Sequence, residues 1–350
     1  DDPIDNRTGT TKLDAVKSAV DRMLAQLTAQ DLVSIVVFNE RSNTLLEAAQ
    51  GNDIAAIKGA LDTVVPDGDT NLAAGLRRGF QTIAPHSSPT RLDSVLVFTD
   101  AQLYGRNSQR LIDFLDVMRT YAEDSIGTTG FGVGSEFGDD VALDISQIRG
   151  GNSFFLSDFD RIVQVFDEEF DFLVAPVAYD VTLTVDVPFE FDVVDVHGLP
   201  ANEPLGHLLQ LTAPTLFLSP RQGGGGAFVR MRAGALVNLD EPNTVGVVSL
   251  TYTTTDGTSV GFNSLPAYLP AGLETDADPS YFETDGVKRG VLLLNTVLTL
   301  KAACADVYQS GYLSLYSESR TTAITRITEF LDYFDALAAG LEDRLSPLSR

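Results

Sequence analysis

Residues 32-LVSIVVF-38 form a nearly continuous apolar run rich in β-branched side chains. A strand that is apolar on both faces is one that lies between two layers, as in a parallel sheet covered by helices. The neighbouring sequence supplies those helices. Upstream, Leu13, Val16, Val20, Leu24 and Leu27 recur at three-to-four spacing, the period of an amphipathic helix. Downstream, a short strand near 44-TLLEA-48 and a helix near 53-DIAAIKGALDTV-64 lead to 66-PDGDTNLAAGLRRGF-80, which opens a helix at Thr70. Strand 94-SVLVFT-99, helix 107-NSQRLIDFLDVMRTY-121, strand 125-SIGTTGFGV-133 and helix 139-DDVALDISQIR-149 follow. Strand 153-SFFL-156 and helix 158-DFDRIVQVFDEEFDFL-173 complete the series. The alternation predicts an α/β fold with a doubly wound, mostly parallel sheet.

Near Ala175-Pro176 the texture changes. Short alternating segments, 179-YDVTLTVDV-187, 208-LLQLTA-213, 227-AFVRMRA-233 and 245-VGVVSLTYTT-254, are punctuated by Pro and Gly and predict an antiparallel β-sandwich. The run 223-GGGG-226 lacks the Lys-Ser/Thr of a phosphate loop and reads as a hairpin turn. After the acidic linker 274-ETDADPS-280, helices return over 286–309 and 318–345. The second carries a stripe of Ile324, Ile327, Phe330, Phe334, Leu337 and Leu341, the signature of a core-facing helix. The expected domains are therefore an α/β domain over 10–175, a β-sandwich over 176–268, and a linker with C-terminal helices over 269–350.

The formal charge is −25, and five of the 24 basic residues are Lys. Such a field repels phosphate backbones, which argues against nucleic acid as a partner. It suits a cation-binding or salt-adapted surface, or simply a solvated acidic coat. Cys304 is the single cysteine, which excludes an intrachain disulfide and a Cys-based zinc cluster. No uninterrupted apolar run approaches the ~20 residues that span a bilayer, so no transmembrane segment is expected. Asp1-Asp2-Pro3 lacks the chemistry of a signal peptide.

In an open parallel sheet, ligands bind at the carboxyl ends of the strands. Two oxygen-bearing residues fall there: Thr70, in the loop before its helix, and Asp100, which ends 95-VLVFTD-100. Each also has a structural reading. Thr70 serves as a helix N-cap, and Asp100 caps the segment after it. Catalytic patterns are weak. His86, His197 and His207 are scattered, no G-x-S-x-G elbow occurs, and 130-GFGVG-134 does not continue as a dinucleotide loop.

Together these pieces resemble the von Willebrand factor type A family. The resemblance rests on 12-KLDAVKSAV-20, 31-DLVSIVVFN-39, 69-DTNLAAGL-76, 95-VLVFTD-100 and 130-GFGVGSEFGDDVALDISQIRGGNSFFLSD-158. The later regions look like bacterial members in which a β-rich region and a helical tail follow. The family resemblance implies a metal-ion-dependent adhesion site, in which Thr70 and Asp100 are ligands of Mg²⁺ or Mn²⁺ and a partner's Asp or Glu completes the shell. It also implies a central strand and an Asp-x-Ser-x-Ser loop ahead of the first helix, and this sequence has neither. Residues 6-NRTGT-10 match that loop poorly. The strand is expected in upstream sequence, in a cleaved N-terminal fragment or in a partner chain.

The expected function is a non-catalytic protein-binding or cell-adhesion module, placed outside the cytoplasm in the periplasm or at the cell surface. Its partner is a protein that presents a carboxylate to the ion. The alternatives are a metal-free scaffold completed by a strand from another chain, and a cytosolic adaptor of an ATPase or chelatase complex.

Overall fold

The computed structural model describes residues 3–5, 9–88, 91–100, 109–134, 139–198, 207–218, 226–269, 271, 282, 284–309, 318–338 and 341. The acidic linker 274–280 and most of the tetraglycine lie outside them. The chain divides into two compact units: residues 1–183, 212–220 and 249–263 in the first, and 184–211, 221–248 and 264–350 in the second.

The first unit opens with a small antiparallel ribbon, β1 (Pro3–Asp5) against β2 (Thr10–Thr11), and helix α1 (Lys12–Leu24). A capping box starts α1. The Thr11 hydroxyl accepts the Asp14 N–H at 3.1 Å, and the Asp14 carboxylate accepts the Thr11 N–H at 3.3 Å. Strands β3 (Leu32–Phe38) and β4 (Ser42–Gln50) pair antiparallel. Helices α2 (Ile54–Asp62) and α3 (Leu72–Ile83) lead to β5 (Asp93–Thr99). Then α4 (Gln109–Ala122), β6 (Ile126–Val133), α5 (Asp139–Ser146), β7 (Gly151–Leu156), α6 (Phe159–Glu168) and α7 (Phe170–Val174) follow.

Strands β5, β6 and β7 run parallel in that order, with helices on both faces. On one face Leu72, Leu76 and Phe80 of α3 and Phe114, Leu115 and Met118 of α4 bury Val97. On the other, Ala15 and Ala19 of α1 and Ile162, Val165 and Phe166 of α6 bury Phe131, Val133 and Leu156. This is the double winding that the apolar runs predict.

The remaining strands are β8 (Pro176–Asp186), β9 (Phe191–His197), β10 (Leu208–Phe217), β11 (Phe228–Ala233), β12 (Asn243–Thr254) and β13 (Ser259–Leu269). One sheet has the order β10-β8-β12-β13, and β9 pairs antiparallel with β11. In the second unit α8 (Asp285–Gln309) and α9 (Glu318–Ala338) pack side by side, tied by Asn295 to Tyr333 at 3.3 Å and Arg326 to Asp306 at 3.0 Å. Gly290 of α8 rests on the ring of Phe228, where a Cβ would come within 2.6 Å.

Several expectations are corrected. The helix foreseen over 158–173 is broken at Glu169, which ends α6 and precedes α7 with φ −114° and ψ −4°. On α9, Leu337 is buried but Ile324 is 56% exposed, so the apolar stripe is covered unevenly. The expectation of no transmembrane segment is not overturned: one helix, Asp285–Tyr308, is long and apolar enough to cross a membrane by length and composition alone. Lys288, near the start of that helix, is buried in the structure.

Candidate functional site

The loop after β3, the loop before α3 and the start of α4 come together near the carboxyl end of β3. The loop after β3 is bound to the loop before α3: the Asn71 N–H donates to the Asn39 carbonyl at 2.8 Å, and the Asp69 N–H donates to Glu40 Oε1 at 3.0 Å. Gly68 makes this closure possible. Its φ of +74° suits glycine, and a Cβ there would come within 2.5 Å of the Glu40 carboxylate. Arg110, at the start of α4, reaches back to Asp69 at 3.1 Å. The result is an exposed rim of Glu40, Asp67 and Asp69, one of whose carboxylates is paired with a guanidinium.

Of the two sequence-predicted ligands, Thr70 adjoins this rim next to Asp69, whereas Asp100 pairs with α1. Thr70 lies in the loop before α3, half-buried, with its N–H bonded to Asp69 Oδ1 at 2.8 Å. It is not the helix cap. That role falls to Asn71, whose Oδ1 accepts the Ala74 N–H at 3.1 Å. Asp100 follows the last residue of β5, and its carboxylate is held by Lys12 Nζ at 3.1 Å from the first turn of α1. Sequence reasoning missed Lys12, and nothing in the spacing of two residues 88 positions apart could have found it.

Mg²⁺ takes an octahedron of oxygens. Thr70 and Asp100 offer two donors, and an ammonium already occupies Asp100. Among the described residues, no group of three or more His, Cys, Asp or Glu side chains is placed to hold a metal ion. These residues therefore do not fit the ion by themselves.

The fold can be placed among known proteins. Residues 4–102 match the family described as von Willebrand factor type A domain. Beyond that segment, the solved structure of a von Willebrand factor type A protein from Catenulispora acidiphila superposes with a TM-score of 0.55. It covers 92% of this chain and 75% of its own, at 12% identity. The fold is that of a von Willebrand factor type A protein. Because the superposition spans nearly the whole chain, the likeness takes in the β-rich region and helices as well as the type A domain. Two curated relatives match more narrowly. "Uncharacterized protein YfbK" from Escherichia coli (strain K12) is 23% identical over 177 residues, covering 50% of this chain and 30% of the relative. "Uncharacterized protein sll0103" from Synechocystis is 28% identical over 120 residues, covering 34% and 28% respectively. The chain thus spans under a third of the length of the curated relatives that it matches. The rim lies at the carboxyl end of β3, beside the start of α4, which follows the parallel strand β5.

Proposed function

We propose that the protein is a non-catalytic binding module that presents the carboxyl-end rim of its type A domain to a protein partner. The observation that supports this most is the locking of two loops and the start of α4 into one exposed acidic surface by Asn71–Asn39, Asp69–Glu40 and Arg110–Asp69. A rim held in this way binds with little ordering cost. Its carboxylates, on a chain of net charge −25, steer a partner with basic side chains.

This reading needs no metal ion. Its finer form has Mg²⁺ or Mn²⁺ at Thr70 and Asp100 bridging to a partner's Asp or Glu. That form requires donors beyond the described residues and release of Asp100 by Lys12. The ion pair between Lys12 and Asp100 favours instead a second reading, a metal-free scaffold in a larger assembly.

Partner capture from source-cell extract by the immobilised protein, with and without chelator, tests these readings. The acidic-rim reading predicts retention that Asp69→Lys abolishes and chelator leaves unchanged. Retention lost with chelator, with Thr70→Ala and with Asp100→Ala would establish the ion-bridged form. Capture indifferent to Asp69→Lys and equally indifferent to chelator, Thr70→Ala and Asp100→Ala, or Mg²⁺-dependent turnover of an ester or phosphate substrate, would overturn the proposal.

A further inference from the structure

The helical pair of the second unit is covered on one side and bare on another. Helix α8 carries no charge from residue 290 to 300, yet only 11% of its most apolar stretch is buried. Its seam against α9 is fixed by the Asn295–Tyr333 and Arg326–Asp306 bonds. Residue numbers rise along one helix as they fall along the other, so the two run antiparallel. Leu292 and Ala303 of α8 and Ala323 and Leu337 of α9 are buried on the sides that these bonds bring together.

What remains uncovered is apolar too. Leu293, Leu300 and Val307 of α8, seven residues apart in turn, and Ile324 and Leu331 of α9, also seven apart, are 47–67% exposed. At about 100° per residue, both sets stand roughly 90–140° around from the seam, in the direction of rising residue number. Because the helices are antiparallel, such turns lead to the same side of the pair. The five side chains therefore form one face. Monomers rarely leave a contiguous apolar face of this kind in water.

We infer that this face docks on the same face of a second copy of the chain, closing a four-helix bundle about a two-fold axis. Heptad spacing on both helices is the repeat by which helix packs on helix, knobs into holes. The size also fits. Helices of 25 and 21 residues, at ~1.5 Å per residue and ~10 Å wide, offer on the order of 700 Å² per partner. A standard interface takes ~800 Å² from each side. A bilayer suits the face less well, because Lys301 and the Arg326–Asp306 ion pair would have to enter it with the helices. The inference goes beyond the proposed rim function and does not depend on it.

Sedimentation velocity of the full chain tests this, at about 0.15 M salt to screen the net charge and from about 1 to 100 μM protein. The expected mass rises from 37.6 kDa to twice that value with concentration. Leu300→Glu with Leu331→Glu is expected to weaken the dimer roughly a hundredfold or more, because docking would bury unpaired carboxylates. Leu236→Glu, in the turn after β11 and 95% exposed, is expected to leave it unchanged. A parent chain that stays monomeric at about 100 μM, or a dimer that survives the double substitution, overturns the proposal. Amide exchange of the parent chain is a second measurement, independent of how the variants fold. Amides over 293–307 and 324–331 should slow as concentration rises, while those over 126–133 do not. Exchange indifferent to concentration overturns the proposal. Flotation with phosphatidylcholine vesicles should leave the parent chain in solution. Flotation that the double substitution abolishes would assign the face to lipid and overturn the dimer.

Discussion

Gly75 carries more of the fold than its size suggests. Glycine inside a helix ordinarily destabilises it by ~1 kcal/mol relative to alanine, so Gly→Ala would be expected to help. Here a Cβ would run into the ring of Phe38, which packs α3 against β3. Gly75→Ala should therefore lower stability by about 1–3 kcal/mol, the usual cost of overpacking, and Phe38→Leu in the same chain should recover part of it. Denaturant unfolding of the three variants checks this, and a neutral or stabilised Gly75→Ala would show that the contact is looser. Asp158 makes a second prediction. Its carboxylate accepts the Ser157 hydroxyl at 2.7 Å and the Arg161 N–H at 2.9 Å as the N-cap of α6. The Ser157 bond, then the backbone N–H bond, holds its pKa below the ordinary 3.8. A carboxylate lowered in the folded state adds stability that is present above pH 3.8 and is lost as pH falls through the lowered value. Asp158→Ala should cost about 1 kcal/mol near neutrality, and the gap to the parent should close on acidification. A gap that widens as pH falls would contradict this account.

At the scale of elements, the aromatic column through the parallel sheet fixes how strands and helices stack. Phe131 of β6 is fully buried and sits 4.7 Å from Phe98 of β5, 5.8 Å from Phe154 of β7 and 5.1 Å from Phe166 of α6, centroid to centroid. Phe131→Ala should cost about 3–5 kcal/mol, whereas Phe155→Ala, 40% exposed on β7, should cost far less. Equal losses would mean that the column is not the core of the sheet. The same contrast explains what the sequence made legible. Runs such as 32–38 and 93–99 announce themselves because they are dominated by consecutive apolar, largely β-branched residues with few polar interruptions. Strand β9, 191-FDVVDVH-197, was missed because its acidic residues break the apolar alternation, and β13 because Gly261 and Pro266 read as breakers. At the site, the sequence located the loop but not the cap. Thr70 and Asn71 are both good capping residues, and only the backbone geometry chooses between them. The Lys12–Asp100 pair is set by tertiary folding, beyond the reach of any local pattern.

For the whole molecule, charge and sheet continuity govern behaviour. A net charge of −25 repels itself across the surface, and the exposed ion pairs, such as Lys58–Asp21 and Arg119–Asp116, are each worth little. Added salt should therefore raise the thermal midpoint from low ionic strength to about 0.15 M, as the screening length shortens to about 8 Å. A midpoint that falls with salt would mean that attractive pairs dominate. Among the described residues the strand order divides the type A sheet into β3–β4 and β5–β7 under shared helices. Amide exchange of the chain as it stands measures it most directly. The account predicts uniform protection along β6 and two classes of amide along β3 and β5, one slow and one, pointing into the gap, markedly faster. Uniform slow exchange through 32–38 and 93–99 would contradict that division.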